Sequence, residues 1–232
     1  MKLICTRSDR NISDMTNITH PIIRSFASKW GAKFVVLDNL PDWMNHKDDR
    51  LFCQHYRIMN LYHMFKLYNR ILCIDSDVII TPECPNPFDI IPADHIGTVY
   101  EDIGSRKKDR ENRIFLSQKK FGEIGWRNGY INTGFFMASA MHKDIFMPVD
   151  GMFWDGRGYD DVHLGYQIFK NKLNVHELSY KWNHMTMMSE EWNGNPDRFK
   201  SYIIHYAGQG IFDKGVKNRL QQIKKDCKKL YG

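Results

Sequence analysis

This chain predicts an α/β fold, a mostly parallel sheet with helices on both faces. Three observations carry that reading. Short apolar runs rich in Ile and Val alternate with longer segments of helical spacing. The most apolar run, Ile71-Leu72-Cys73-Ile74, ends at two carboxylates, Asp75-Ser76-Asp77. The 232 residues suit one domain, or one domain with a small appendage. Strands that alternate with helices form sheets buried on both faces, and such sheets bind ligands beyond the C-terminal ends of their strands.

Each element has its own warrant. Residues 2–6 are a short apolar strand, and Thr6-Arg7-Ser8-Asp9 is a polar loop at its C-terminal end. Ile18, Ile22, Ile23, Phe26, Ala27 and Trp30 recur at helical spacing, with Gly31 as the cap. A second strand covers 33–38, and 39–49 is a polar loop containing Pro41. One helix is expected over 52–68, with Tyr56, Met59, Leu61, Met64, Phe65 and Tyr68 facing the core. The strand at 71–74 follows. Residues 81–87 hold three prolines and read as a loop, and 95–100 as a strand. Residues 104–128 are polar, basic and interrupted by glycine, consistent with a mobile segment or a surface helix. Residues 130–137 are strand-like, yet Asn132 and Gly134 interrupt them. A glycine inside a strand marks close approach of a ligand or another backbone. Asp160 and Asp161 open a helix that runs to 170, where acidic residues favour the N-terminus. A short strand at 202–206 and a basic amphipathic helix over 216–230 close the chain.

Composition narrows the class. No apolar run is long enough to span a bilayer and none resembles a signal peptide, which favours a soluble, cytoplasmic protein. The five cysteines are scattered and never spaced as Cys-x-x-Cys, a pattern that fits free thiols better than disulfides or zinc. The net charge of +6 is concentrated in two basic clusters, at 106–120 and 214–229. They read either as solvated helix faces or as surfaces for an anionic partner, with electrostatic contact to a membrane surface one reading for the second. No nucleic-acid-binding motif accompanies them, so nucleic acid is not expected as a partner.

The chemistry centres on Asp75-Ser76-Asp77. Charges do not sit at the end of a buried strand without compensation, and a divalent metal is a common source of it. Two hard oxygen ligands that leave coordination positions open suit Mg²⁺ or Mn²⁺ beside a phosphate-bearing substrate. Two further elements join them. One is the acidic pair Asp160-Asp161 after the glycine-rich stretch Trp154-Asp155-Gly156-Arg157-Gly158. The other is His205 at the end of a short apolar strand, in His205-Tyr206-Ala207-Gly208.

With Asn132-Thr133-Gly134 between them, these motifs make nearly the whole chain resemble the GT-A glycosyltransferases. The likeness is greatest to the glycogenin-like and bacterial galactosyltransferase-like enzymes of glycosyltransferase family 8. The resemblance implies a single GT-A domain, Rossmann-like, with a small acceptor-side extension. About 1–100 would form the nucleotide-sugar-binding half and about 101–232 the acceptor-side half. It implies transfer of a hexose or deoxyhexose from a nucleoside-diphosphate sugar, a UDP-sugar above others, to a hydroxyl of a glycan or glycoconjugate acceptor. It also implies Mn²⁺, or Mg²⁺, held by Asp75, Asp77 and His205. Arg57 would add positive charge near the phosphates, and Thr6, Arg7 and Ser76 would line the nucleotide side. Asn132 would meet donor-sugar hydroxyls, and Gly208 belongs to the final His-x-x-Gly motif.

The chain departs from that family at Ile211, where a Lys is usual; Lys214 is out of register. Retaining members usually carry Asp-Gln at the acidic pair, whereas Asp160-Asp161-Val162 resembles the Glu-Asp-Val of inverting GT-A enzymes. An inverting reaction needs a base for the acceptor hydroxyl, Asp161 first and Asp160 next. In a retaining reaction the same residues would orient the donor sugar. Among the second-half aromatics Trp126, Tyr130, Phe153, Trp154, Tyr159, Trp182 and Trp192, most are expected in the core, and Trp154 is the first candidate for an acceptor groove. A phosphatase of the haloacid dehalogenase type, with Asp75 as nucleophile, is the alternative enzyme, and a basic binding module the non-enzymatic one.

Overall fold

The computed structural model describes residues 1–41, 43–44, 50–186, 194–208 and 212–232. Trp192, Ile211 and much of the polar loop at 39–49 lie outside them. β1 (Lys2–Arg7) leads to α1 (Ser13–Lys29), whose Met15, Thr19, Ile23, Phe26 and Ala27 are buried. Gly31, at φ +66°, reverses the chain into β2 (Ala32–Leu37), as expected of a glycine beyond a helix end.

The helix expected over 52–68 is broken. It is α2 (Arg50–Tyr56), a 3-10 turn over Arg57–Asn60, and the single turn α3 (Leu61–Met64). No proline or glycine causes the break. The His55 carbonyl, which an unbroken helix would spend on the Met59 N–H, accepts a hydrogen bond from Arg7 Nη1 at 3.1 Å. A contact from 48 residues away thus overrides local helical preference.

β3 (Arg70–Ile74), β4 (Val78–Ile80), α4 (Pro87–Ile90) and β5 (Ile96–Tyr100) follow. The segment at 104–128 forms a helix, α5 (Lys107–Phe121), which buries Arg110, Ile114, Ser117, Gln118 and Phe121 at helical spacing. β6 (Ile131–Ser139), α6 (Tyr159–Lys170), β7 (Val175–Glu177), β8 (His184–Met185), β9 (Ile203–His205) and α7 (Arg219–Tyr231) complete the chain.

The main sheet has the order β2-β1-β3-β6-β5-β7. Only β6 runs against the others, so the sheet is mostly parallel, as the alternation predicts. Alternate residues of β3 enter the two cores. Ile71 and Cys73 pack with Tyr56, Met59, Phe136 and Leu164, while Leu72 and Ile74 pack with Ile23, Phe26, Phe135 and Met137. β4, β9 and β8 form a second, small sheet. The apolar run at 71–80 is therefore two strands in two sheets, joined by Asp75-Ser76-Asp77. Asp75 N–H donates to Gly134 O at 3.1 Å, extending the main ladder. Tyr206 N–H donates to Asp77 O at 2.9 Å, extending the small one.

The basic clusters are only partly solvated. Arg110 is buried against Glu101, and Arg219 turns inward to Asp77. Lys225 pairs with Asp213, and Lys229 lies over the Phe199 ring. Among the described residues no helix is long and apolar enough to cross a membrane. All five cysteines are free thiols.

Candidate functional site

A cavity of about 440 Å³ opens at the C-terminal ends of β1 and β3, where parallel sheets bind ligands. Because β6 is antiparallel, its N-terminal residues Asn132, Thr133 and Gly134 reach the same end. Arg7, Arg57, Asp75, Ser76, Asp77, Asn132, Asp161, His205 and Gly208 all line the cavity.

The turn between the two carboxylates is fixed from below. Thr6 is fully buried, and its hydroxyl lies 2.9 Å from Ser76 Oγ. Ser76 Oγ donates to Arg7 O at 2.8 Å, which leaves Thr6 and His20 Nε2 to donate to it. Burial holds the His20 imidazole down at about 4, hence neutral. Thr19 Oγ1 donates to Ser76 O at 2.7 Å. Thr6 therefore does not face the cavity, contrary to its expected contact with the nucleotide; it props the turn that presents Asp75 and Asp77. Ser76 is 5% exposed and its hydroxyl is already spent.

Above the turn, His205 Nε2 lies 3.4 Å from Asp75 Oδ2 and 3.3 Å from Asp77 Oδ1. One ligand atom from each of the three residues lies within 4.8 Å of the others, close enough for all three to hold one metal ion. A chain of hydrogen bonds sets the imidazole. The Glu101 carboxylate accepts from Asn132 Nδ2 at 2.7 Å. Asn132 Oδ1 accordingly accepts, from Asn183 Nδ2 at 2.7 Å and Gly134 N–H at 2.9 Å. Asn183 Oδ1 then accepts from His205 Nδ1–H at 2.7 Å. In the neutral ring the lone pair is left on Nε2, aimed between the carboxylates, which is how a metal-binding histidine is oriented. Burial works against charge on His205, but Asp77 and Asp75 outweigh it and raise the imidazole pKa. Burial likewise pushes Asp77 up, and His205 and Arg219 outweigh that to hold its carboxyl below the usual range.

The two members of the acidic pair sit in different environments. Asp160 is fully buried. It is ion-paired with Arg7, accepts from Thr133 Oγ1 at 2.8 Å and meets His55 Nδ1 at 2.6 Å. Burial opposes its ionisation, but Arg7 and His55 prevail and hold its carboxyl well below the usual range. The expectation that Asp160 serves as a second candidate base is therefore corrected. It has no open oxygen, and it positions Arg7 and His55. Asp161 is different. Thr133 N–H and Oγ1 both reach its Oδ1 at 2.8 Å, and it lines the cavity. Burial and the Asp160 charge push its carboxyl up to about 6. Gly158, at φ +89°, makes the tight entry to α6; a Cβ there would meet the Tyr130 hydroxyl.

Arg57 lines the cavity, with its Nε donating to Asp38 O at 2.8 Å. The central cation is Arg7, whose Nη2 is 3.0 Å from Asp75 Oδ1. Trp154 is largely buried, its indole N–H given to Arg157 O, and it lines a separate cavity beside α5 with Arg113, Leu116 and Lys120 rather than the one at the strand ends. Trp126, Tyr130 and Trp182 are core. Glu101, Asn183, His55 and Arg219 escape sequence reading. His55 alone left a signal, a polar residue beside Tyr56 on the inward face of the expected helix.

No family model matches the chain, and no curated protein matches it. Solved structures do. A glycosyltransferase involved in glycosylation of the major capsid of PBCV-1 shares 15% identity over 97% of this chain and 98% of that one, with a TM-score of 0.58. The galactosyltransferase LgtC, in complex with donor and acceptor sugar analogues, shares 13% identity over 100% of this chain and 97% of its own, with a TM-score of 0.59. The bifunctional WbbM shares 14% identity over 99% of this chain, which spans 50% of that protein, with a TM-score of 0.62. At such identities the likeness establishes the fold, that of the GT-A-type glycosyltransferases. It gives no support to the phosphatase alternative.

Proposed function

We propose that this chain is a metal-dependent glycosyltransferase that moves a hexose or deoxyhexose from a nucleoside-diphosphate sugar, with UDP as the expected nucleotide, to a hydroxyl of a glycan or glycoconjugate. The observation that carries the reading is His205. Its Nδ1 is committed to Asn183, so its Nε2 is offered to the ion site of Asp75 and Asp77. One nitrogen and two carboxylates suit Mn²⁺ slightly better than Mg²⁺. The ion, when bound, supplies Lewis-acid neutralisation of the charge that develops on the leaving diphosphate.

The protein's own groups do the rest. Arg7, clamped by Asp160 and Asp75, provides a fixed positive charge at the cavity floor. Asp161, with a carboxyl pushed to about 6, is mostly ionised at neutral pH, yet basic enough to take the proton of an acceptor hydroxyl. That role predicts inversion at the anomeric carbon. The donor half is about 1–100, and the acceptor side is about 101–232, which also returns Asn132, Asp161 and His205 to the donor cavity.

The test is the melting temperature with UDP, GDP, dTDP and CDP, each with Mn²⁺ and with EDTA. A ligand that binds only the native state raises it. A rise for one nucleotide, present only with metal, is expected; no rise with any of the four refutes the reading.

A further inference from the structure

The two carboxylates of the candidate ion site each carry a guanidinium, and the two are held differently. Arg7 touches Asp75 at 3.0 Å, is 10% exposed, and is also bound by Asp160 and the His55 carbonyl. Arg219, the first residue of α7, reaches Asp77 Oδ2 from 142 residues away at 2.6 Å. Its other contact is a long one, 3.5 Å to Tyr206 O. Its side chain is 35% exposed and lines the cavity. Arg7 is clamped, then, and Arg219 is able to move.

A cation seated on Asp77 takes over the negative charge that Arg219 neutralises, and the two positive charges repel. Released at the cavity wall, the guanidinium faces whatever anion accompanies the cation. Its planar fork fits phosphate oxygens by paired hydrogen bonds. We propose that Arg219 exchanges partners on ligand binding: it is the counter-ion of Asp77 in the free protein and a phosphate contact of the bound nucleoside diphosphate in the loaded one. This inference rests on the function proposed above. It makes α7 part of the donor site, so that the end of the chain senses occupancy at the turn after β3.

The exchange predicts effects of opposite sign, which a merely structural arginine would not produce. Calorimetric titrations of wild type, Arg219→Ala and Arg219→Lys would use Mn²⁺ alone and then UDP at saturating Mn²⁺. In Arg219→Ala, Mn²⁺ alone binds about threefold tighter, because a competing surface-accessible ion pair is gone. UDP binds about tenfold weaker, because the charge-assisted contact to phosphate is lost. Arg219→Lys keeps the charge and recovers most of the UDP affinity. Unchanged UDP affinity in Arg219→Ala, or parallel weakening of Mn²⁺ and UDP, overturns the proposal. If wild type binds UDP and the variant matches it, only this inference falls. If wild type binds none of the four nucleotides, the proposed function falls and takes the inference with it.

Discussion

Gly134 stands where any side chain would collide with His205: a Cβ there would lie 2.7 Å from the ring Cε1 and 2.8 Å from Nδ1. β6 forgoes a side chain so that the imidazole can lie against its backbone and turn Nε2 toward Asp75 and Asp77. Gly134→Ala is expected to push His205 out of line. Mn²⁺ affinity should fall at least about tenfold, and overpacking should cost about 1–3 kcal/mol of stability. Metal titration with a thermal melt checks both. Wild-type metal affinity in this variant would remove His205 from the ion site.

The second prediction concerns Asn183, which is not among the residues lining the cavity. Its Oδ1 takes the His205 Nδ1–H, and its Nδ2 is paid out to Asn132. Asn183→Ala frees the ring to flip or change tautomer. Loss of such an outer partner typically costs about 10- to 100-fold in metal affinity. Calorimetry with Mn²⁺ on Asn183→Ala decides the point. An unchanged affinity would show that the ring is oriented by something other than the relay from Glu101.

What was legible in the sequence follows from the range of each interaction. The strand at 71–74, the carboxylate turn and the strand glycine at 134 show up as local breaks in apolar runs, which one sequence can display. The relay does not, because Glu101, Asn132, Asn183 and His205 meet only when β5, β6, β8 and β9 assemble. The broken helix at 52–68 has the same origin. Its periodicity holds, but Arg7 claims the His55 carbonyl from the end of β1. Asp160 and Asp161 are alike as letters, and differ only because Arg7 and His55 approach one of them.

Metal binding should depend on pH, with a definite sign. Despite burial, Asp77 and Asp75 raise the His205 pKa above its ordinary 6.5, so in the metal-free protein a proton competes for Nε2. Mn²⁺ affinity should therefore fall as pH drops through that raised value, by up to about tenfold per unit. The same shift makes the His205 contribution to metal-free stability complete below 6.5 and lost as pH rises through the folded pKa. Melting curves from about pH 6 to 8 should show this decline without metal, and Mn²⁺ should offset it. A pH-independent Mn²⁺ affinity over that range would place the ion elsewhere.

The acidic pair gives the most discriminating prediction, because its two members should fail differently. Asp161, raised to about 6 by burial and by the Asp160 charge, must be ionised to accept a proton. Turnover should fall with unit slope below about pH 6. Asp161→Asn should lower kcat by about 10²- to 10⁴-fold above about pH 6, with the acid limb gone and little change in the donor KM. Asp160→Asn removes the charge that helps raise Asp161, so its acid limb should move to lower pH. The substitution also leaves the 10%-exposed Arg7 with Asp75 as its remaining carboxylate. That should destabilise the fold by about 3 kcal/mol, the cost of breaking a buried ion pair. pH–rate profiles of both variants, with melts to separate folding from chemistry, test the assignment. If the acid limb stays near 6 in Asp160→Asn, the titrating group is not Asp161, and the division of roles within the pair is wrong.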